Sequence, residues 1–301
     1  MKSETLRKDV FEANVPVVNL EKCTGCGLCA EICLVYDVMN GKAVRARPAL
    51  CIRCGACGSF CPAGAIEGSC AEKKRLTKRD MDKLPSPESL QFLFKSRRSV
   101  RRYKPEPLQQ EHIETVLEAG RYTPTGSNTQ GIKYLIVNDR REMVKLRQML
   151  LPIMDRLFAM ATHVAKLPFV GERILGERQA HDIRAHLGQG VRVISERNRK
   201  GEDRLFYGAP ALMIVYGEKQ DEAMAFSCHA AIFNCSMMAH LLGIGCCLNS
   251  FSLMAINYNA KVKKYLGIPK TDKCFGVMTM GYQNVKYKSL IQRDPVNVRY
   301  L

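Results

Sequence analysis

Cys23-Thr24-Gly25-Cys26-Gly27-Leu28-Cys29-Ala30-Glu31-Ile32-Cys33 and Cys51-Ile52-Arg53-Cys54-Gly55-Ala56-Cys57-Gly58-Ser59-Phe60-Cys61 repeat one pattern, with two, two and three residues between successive cysteines. Eight of the fourteen cysteines fall in these two runs. Three cysteines at two-residue intervals can curl round one cubane so that three iron corners each receive a thiolate, and the fourth ligand must arrive from elsewhere. Gly25, Gly27, Gly55 and Gly58 stand between or beside the cysteines, where the backbone must bend tightly and aim N–H groups at sulfur. Structural zinc usually takes two separated Cys-x2-Cys pairs, whereas three cysteines crowd into each run here with a fourth close behind. A disulfide framework is less favoured still, because Met1 to Val18 is charged throughout and lacks the apolar region of a secretory signal.

The two runs resemble those of bacterial two-cluster ferredoxins, in which the last cysteine of each run crosses to the other cluster. The resemblance implies two [4Fe–4S] clusters, one on Cys23, Cys26, Cys29 and Cys61, the other on Cys51, Cys54, Cys57 and Cys33. Pro62 follows Cys61 as in that family, whereas Leu34 follows Cys33. Proline is not a ligand, so the departure leaves the cluster reading intact.

At 301 residues, 46% hydrophobic and 25% charged, the chain is long enough for a small domain and a larger one with a full core. Cys228, Cys235, Cys246, Cys247 and Cys274 lie outside the runs and point to a reducing cytoplasm. Ala223 to Ala260 contains no Asp, Glu, Lys or Arg. His229, Asn234, Ser236, His240 and Asn249 interrupt that stretch and Gly243 and Gly245 break it, so a helix buried in a core or subunit interface is expected rather than a membrane span. The formal net charge of +17 invites a nucleic-acid reading. No helix-turn-helix, nuclease or aromatic-rich RNA motif accompanies it, and two oxidised clusters with one further phosphate-bearing cofactor would lower it to about +11. A basic surface around a cluster domain suits an acidic redox partner such as a ferredoxin or flavodoxin.

Composition divides the chain into a cluster domain at 1–70, a charged linker at 71–87 holding Lys73, Lys74, Arg75, Lys78, Arg79, Pro85 and Pro87, and a larger domain at 88–301. In the last, Leu90, Leu93 and Phe94, then Ile113, Val116 and Leu117, make helical stripes. Tyr134–Val137, Ala211–Tyr216 and Gly276–Gly281 read as strands. Met143–Ala165, Glu172–Glu196 and about Glu222–Leu242 read as helices, with Gly243-Ile244-Gly245, Cys246 and Cys247 at the end of the last. The mixture indicates an α+β fold.

Arg97-Arg98-Ser99-Val100-Arg101 places guanidinium forks and a hydroxyl where a phosphate can be held. Pro124-Thr125-Gly126-Ser127-Asn128-Thr129-Gln130 follows, and Gly243-Ile244-Gly245 comes later. In this order the motifs resemble those of the FMN-dependent nitroreductase family, over roughly Glu88 to Leu301. The resemblance implies a homodimeric α+β sandwich behind a ferredoxin-like domain. Arg97, Arg98 and Ser99 would hold the FMN phosphate and ribityl chain, and Arg101 would face the N1 and C2 carbonyl edge, where a cation stabilises the anionic reduced flavin. Pro124, Thr125, Gly126 and Asn128 would reach the flavin from the partner subunit. Thr125 and Gly126 stand where the family often has serines. Asn249 and Ser250 fall near the backbone N–H that points at flavin N5, in a loop one residue shorter than usual. Lys286 and Arg293, after Gly281-Tyr282, match the basic positions that close on the phosphate.

With the cofactor carrying the chemistry, no Ser-His-Asp or Cys-His set is required, and His163, His181, His186, His229 and His240 read as core or surface residues. Cys246 and Cys247 read as small core residues beside the flavin loop. Leu150–Arg204 would cap a substrate pocket, with Phe158, Phe169 and methionines as apolar walls. The expected function is an oxidoreductase passing electrons from a low-potential donor through the clusters and FMN to a small acceptor: a nitro compound, a quinone or an activated alkene. The alternative is a redox relay or sensor serving a protein partner. No Gly-x-Gly-x-x-Gly fingerprint for a dinucleotide is present, but the family resemblance leaves direct NAD(P)H oxidation open, since members can take nicotinamide in an unspecialised flavin pocket.

Overall fold

The computed structural model describes residues 15–68, 76–167 and 170–301. Cys70, residues 71–75 of the expected linker and the proposed pocket residue Phe169 lie outside these. The chain forms two units, Met1–Pro85 with Gly126–Thr129, and Ser86–Thr125 with Gln130–Leu301.

In the smaller unit β1 (Val17–Val18) pairs antiparallel with β4 (Ile66–Glu67), and β2 (Tyr36–Met39) with β3 (Lys42–Arg45). Asn40 and Gly41 join β2 to β3 with φ of 50° and 70°. Two positive φ values at Asn-Gly give the turn whose twist matches a two-residue hairpin. Two short helices, α1 (Leu28–Ile32) and α2 (Ala56–Phe60), each start from a left-handed glycine, Gly27 and Gly55. The core is small. Val15, Val35, Tyr36, Ile66 and Cys57 are buried together, and Cys29, Cys33, Cys51 and Cys61 pack against them. The stretch expected to be a linker contains a helical turn, α3 (Lys78–Met81), closed by a reciprocal capping box between Thr77 and Asp80.

The larger unit is built on one antiparallel sheet in the order β5 (Lys133–Val137), β6 (Ala211–Glu218), β8 (Asp272–Tyr282), β7 (Ile244–Leu248). Strand alternation divides the core. Ala211, Met213 and Val215 of β6 face one apolar cluster with α5 (Gln110–Arg121) and α10 (Met224–Leu241), whereas Leu212 and Ile214 face another with α6 (Arg140–Lys166), α11 (Ser250–Tyr258) and α12 (Ala260–Tyr265). The central strands are therefore covered on both faces by helices, the α+β sandwich expected for this part. Ser86 caps α4 (Pro87–Ser96) by accepting from the Ser89 N–H, with Pro87 at its first position. Asp139 caps α6 through the N–H groups of Arg141 and Glu142.

Two expectations are corrected. Glu172–Glu196 is not one helix: α7 (Val170–Leu175) stops at Gly176, whose φ of +80° cannot continue a right-handed helix, and α8 (Glu177–Asp182) runs through a π turn into α9 (Gly188–Arg199). Gly243 alone ends α10, with φ +72°, and Ile244 to Leu248 then form β7 beside β8. Cys246 and Cys247 are thus strand residues. A strand buried on both faces shows no alternation, so its apolar run merged with the helix before it. Among the described residues no helix is long and apolar enough to cross a membrane.

Candidate functional site

In the smaller unit short turns start at the left-handed glycines; Cys23 and Cys57 are buried, whereas Cys26 and Cys54 stay exposed. Cys23, Cys26 and Cys29 line one cavity together with Cys61, which comes from the second run. The Ala43 N–H lies 3.5 Å from Cys23 Sγ and the Ala65 N–H 3.3 Å from Cys61 Sγ. Hydrogen bonds from the Ala43 and Gly25 backbone hold the Cys23 thiol below its ordinary pKa, which favours the thiolate a metal requires. Gly25 is obligatory, since a Cβ there would collide with the Gly41 carbonyl. Cys33, Cys51 and Cys57 gather round Tyr36. Its hydroxyl donates to the Pro16 carbonyl at 3.0 Å and lies 3.8 Å from Cys57 Sγ. Burial holds its phenol far above the ordinary range, and Cys57, Cys51 and Cys33 add to that shift. Cys54 is exposed. Four thiols share one cavity, with N–H groups directed at two of the sulfurs, and this is the donor set that an iron–sulfur cubane takes; among the described residues no three such side chains are placed to hold a single metal ion.

In the larger unit the Arg97–Arg101 segment leaves α4 and runs parallel to edge strand β7. Ser99 forms a parallel bridge with Cys246, and the Val100 N–H donates to the Cys246 carbonyl at 2.9 Å. The approach is close because Gly245 has no side chain: a Cβ there would stand 2.7 Å from Val100 Cβ. Buried Tyr103 pins the segment from beneath, its hydroxyl donating to the Val100 carbonyl at 2.6 Å and lying 2.8 Å from Thr279 Oγ1. Arg97 and Arg98 are half-buried and enter no ion pair among the described residues. Burial, and then the Arg97 charge, hold His240 below its ordinary pKa, and His240 Nε2 lies 2.9 Å from Ser96 Oγ. Arg101 lies over the Tyr207 ring at 5.8 Å. Burial pushes the Cys247 thiol up against the opposing pull of Arg101 and hydrogen bonds to Ser99 and Arg101.

Asn249, buried, caps α11. Its Oδ1 accepts from the Ser252 N–H at 3.0 Å, its Nδ2 donates to the Leu205 carbonyl at 2.6 Å and its backbone N–H donates to the Val277 carbonyl at 2.8 Å. All of its polar groups are engaged. Ser250, the first helical residue, is exposed, and its N–H is one of the donors that a helix start leaves without an intrahelical acceptor.

The other expected positions are dispersed. Thr125 Oγ1 accepts from the Gln130 N–H at 3.0 Å, and Pro124 is exposed. Gly126 and Asn128 belong to the smaller unit, in which Asn128 Nδ2 donates to the carbonyls of Ile52 at 3.2 Å and Arg53 at 3.0 Å. Lys286 and Arg293 are exposed on the C-terminal stretch, and the intervening Tyr287 hydroxyl donates to the Ser99 carbonyl at 3.3 Å. Sequence reasoning missed Tyr103, Thr279 and Tyr207. The first two act beneath the segment and carry no motif; only the left-handed Tyr207-Gly208 pair, φ 60° and 68°, marks a turn. The positive charge is uneven: Ser86–Leu301 carries 32 Lys and Arg against 19 Asp and Glu, whereas Met1–Pro85 carries 14 against 10. The basic excess therefore lies mainly outside the cluster unit.

Comparison with known proteins places both parts. The 4Fe-4S binding domain profile matches residues 16–33 and 46–67. A stretch of 66 residues is 38% identical to "Indolepyruvate oxidoreductase subunit IorA" of Pyrococcus horikoshii, covering 21% of this chain and about a tenth of the length of that relative. Among solved structures, a nitroreductase with bound FMN from Desulfitobacterium hafniense is 20% identical with a TM-score of 0.52, over 70% of this chain and 97% of the other. A nitroreductase with bound FMN from Bacteroides fragilis is 23% identical with a TM-score of 0.46, over 69% and 94%. The profile of the nitroreductase family matches residues 94–282, well over half of the sequence, and the chain belongs to that family.

Proposed function

We propose that this nitroreductase-family oxidoreductase holds FMN along Arg97–Arg101 and two [4Fe–4S] clusters in its smaller unit, and passes electrons from a low-potential donor to a small acceptor. The observation that carries the reading is the Arg97–Arg101 segment clamped on β7 with two unpaired guanidiniums. FMN binding by the nitroreductases of similar fold agrees with it. Arg97, Arg98 and Ser99 would take the phosphate and ribityl chain, and Arg101 the pyrimidine edge. Of the two neighbours first considered for N5, the engaged Asn249 N–H yields to that of Ser250. When bound, FMN supplies interconversion of one- and two-electron transfer. The chain's residues orient it, exclude water beneath it through Tyr103 and Val100, and place a fixed cation at Arg101.

The crossed cysteine sets remain the assignment for the clusters: Cys23, Cys26, Cys29 and Cys61, then Cys51, Cys54, Cys57 and Cys33. An acidic donor such as a ferredoxin or flavodoxin would meet a protein of net positive charge, with faster encounter at low salt. A homodimer would cover Phe226, 72% exposed on α10, and Phe233 of the same helix, whose ring lies 6.3 Å from that of exposed Phe94 on α4. The partner's Pro124–Thr125 loop would then complete the flavin site.

Reconstitution with FMN and anaerobic reduction by reduced ferredoxin tests the whole route. Arg98→Ala should weaken FMN retention by about 1.5–3 kcal/mol, the usual worth of a charge-assisted hydrogen bond. Wild-type FMN affinity in that variant would remove the phosphate assignment.

A further inference from the structure

The two cysteine runs share one spacing but differ in what fills it. Position for position, Gly25 in Cys23–Cys26 corresponds to Arg53 in Cys51–Cys54. Both residues are left-handed, with φ of 74° at Gly25 and 56° at Arg53. Glycine adopts that conformation freely, whereas any residue with a Cβ is strained in it. The second run therefore carries a strained turn where the first uses glycine. Ile52 and Arg53 are exposed, so packing of their side chains does little to hold the turn.

The hold comes from outside the run. Asn128 Nδ2 donates to the Ile52 carbonyl at 3.2 Å and to the Arg53 carbonyl at 3.0 Å, the peptide groups on either side of the left-handed residue. These two bonds use both hydrogens of the amide. Asn128 is presented by its own tight turn, in which Ser127 and Asn128 have φ of 47° and 53° and the Thr129 N–H donates to the Gly126 carbonyl at 3.0 Å. In a planar trans peptide the N–H points opposite to the carbonyl. Anchoring the Ile52 and Arg53 carbonyls on one amide thus turns the N–H groups of Arg53 and Cys54 away from Asn128. In the first run the counterpart of the Arg53 N–H, that of Gly25, is a backbone donor to the Cys23 thiol.

We infer that Asn128 is a positioning residue for the second cysteine run: it holds the Cys51–Cys54 turn in the conformation that glycine gives the first run, and so sets the stability and potential of the cluster on Cys51, Cys54, Cys57 and Cys33. The inference rests on the cluster reading. N–H groups directed at cluster sulfur favour the more negative, reduced state, so a turn that loses its hold lowers the potential.

The test uses the full chain reconstituted anaerobically with iron, sulfide and FMN. Asn128→Gly removes the amide and tolerates the φ of 53° at that position. Iron release to a chelator, redox titration of the cluster signals by electron paramagnetic resonance, and FMN content are measured. About four irons per chain should leave about five- to tenfold faster, as expected for two lost exposed hydrogen bonds, with one cluster potential lowered, the other unmoved and FMN content unchanged. Adding Arg53→Gly, which puts glycine at the left-handed position, should bring release back to within about twofold of wild type. Release and potentials unmoved by Asn128→Gly, both clusters affected alike, or a double variant that fails to recover would overturn the positioning role. Loss of FMN with both clusters intact would overturn it in favour of a flavin contact. A wild-type chain that takes up no iron refutes the cluster reading and the inference with it, whereas iron-loaded wild type beside an indifferent variant refutes the inference alone.

Discussion

Gly245→Ala is the substitution whose consequence the structure defines most closely. The new methyl would lie 2.7 Å from Val100 Cβ and Cγ1 and 2.8 Å from Cγ2. Carbon atoms pack at about 3.5–4.0 Å, so roughly 1 Å must be found. Val100 is 2% exposed and β-branched, and cannot swing away. Gly245 itself is held in register opposite Gly281 on β8, so the Arg97–Arg101 segment must yield. Overpacking of this kind costs about 1–3 kcal/mol in stability. At the proposed flavin site a 1 Å displacement of the two guanidiniums would also forfeit one charge-assisted hydrogen bond to the phosphate, worth about 1.5–3 kcal/mol, or roughly a 10- to 150-fold loss of FMN affinity. Urea unfolding and titration of FMN fluorescence measure the two effects separately. Val100→Gly in the same chain removes the obstructing Cβ together with its methyls, so the double variant should recover FMN affinity while remaining less stable than wild type by about 2–4 kcal/mol for the lost side chain. A Gly245→Ala protein that binds FMN as tightly as wild type, or a double variant that fails to recover, would refute the reasoning that the segment is positioned by its contact with β7.

Asn249→Ala should cost about 2–4 kcal/mol in urea unfolding, because it removes the α11 cap and leaves the buried Leu205 carbonyl without its donor; Asn249→Asp, which keeps only the cap, should fall between. Cys54→Ala should lower iron from about eight to about four per chain and remove one of two cluster signals in electron paramagnetic resonance, whereas complete loss of iron would show that the two sites load together. His240 has a folded pKa below its ordinary value of 6.5, so the unfolded state binds more protons in the window beneath that value. Stability should therefore be fully present above pH 6.5 and fall on acidification through the folded pKa. A His240→Gln variant should show a flatter melting temperature between pH 7 and 5, and an unchanged slope would remove His240 from the account.

The cysteine runs and the Arg97–Arg101 segment could be singled out as candidates because each is local and shows in its spacing. Strands Lys133–Val137 and Ala211–Glu218 were legible as short apolar β-branched runs after turn residues. The Ile244–Leu248 strand and the α11 cap were not. Between Ala223 and Ala260 helix, strand and helix succeed one another without a charged residue, so apolarity marks burial and leaves the period unreadable. Gly245 looked like a helix terminator, but its role is to admit Val100, a neighbour far away in the chain. The turn at Gly126–Thr129 holds Gly126 and Asn128, which the family resemblance implied as flavin contacts. Its grouping with the cluster unit depends on the carbonyls of Ile52 and Arg53, which no local pattern announces.

The core of the smaller unit has a consequence for the life of the protein. Its buried cluster contains Cys57, with Cys29, Cys33, Cys51 and Cys61 packed on Val35, Tyr36 and Ile66, so the would-be ligands are also the packing material. A unit this small gains little stability from apolar burial alone and needs a metal staple. With clusters bound as proposed, cofactor assembly and folding there would be one event, and oxidative loss of iron would be an unfolding event. A chain stripped of its clusters would present an unfolded tract to cellular proteases while Ser86–Leu301, with its own two apolar clusters, stayed folded. Turnover of the protein in a cell would then track oxygen exposure, with no dedicated degradation signal required.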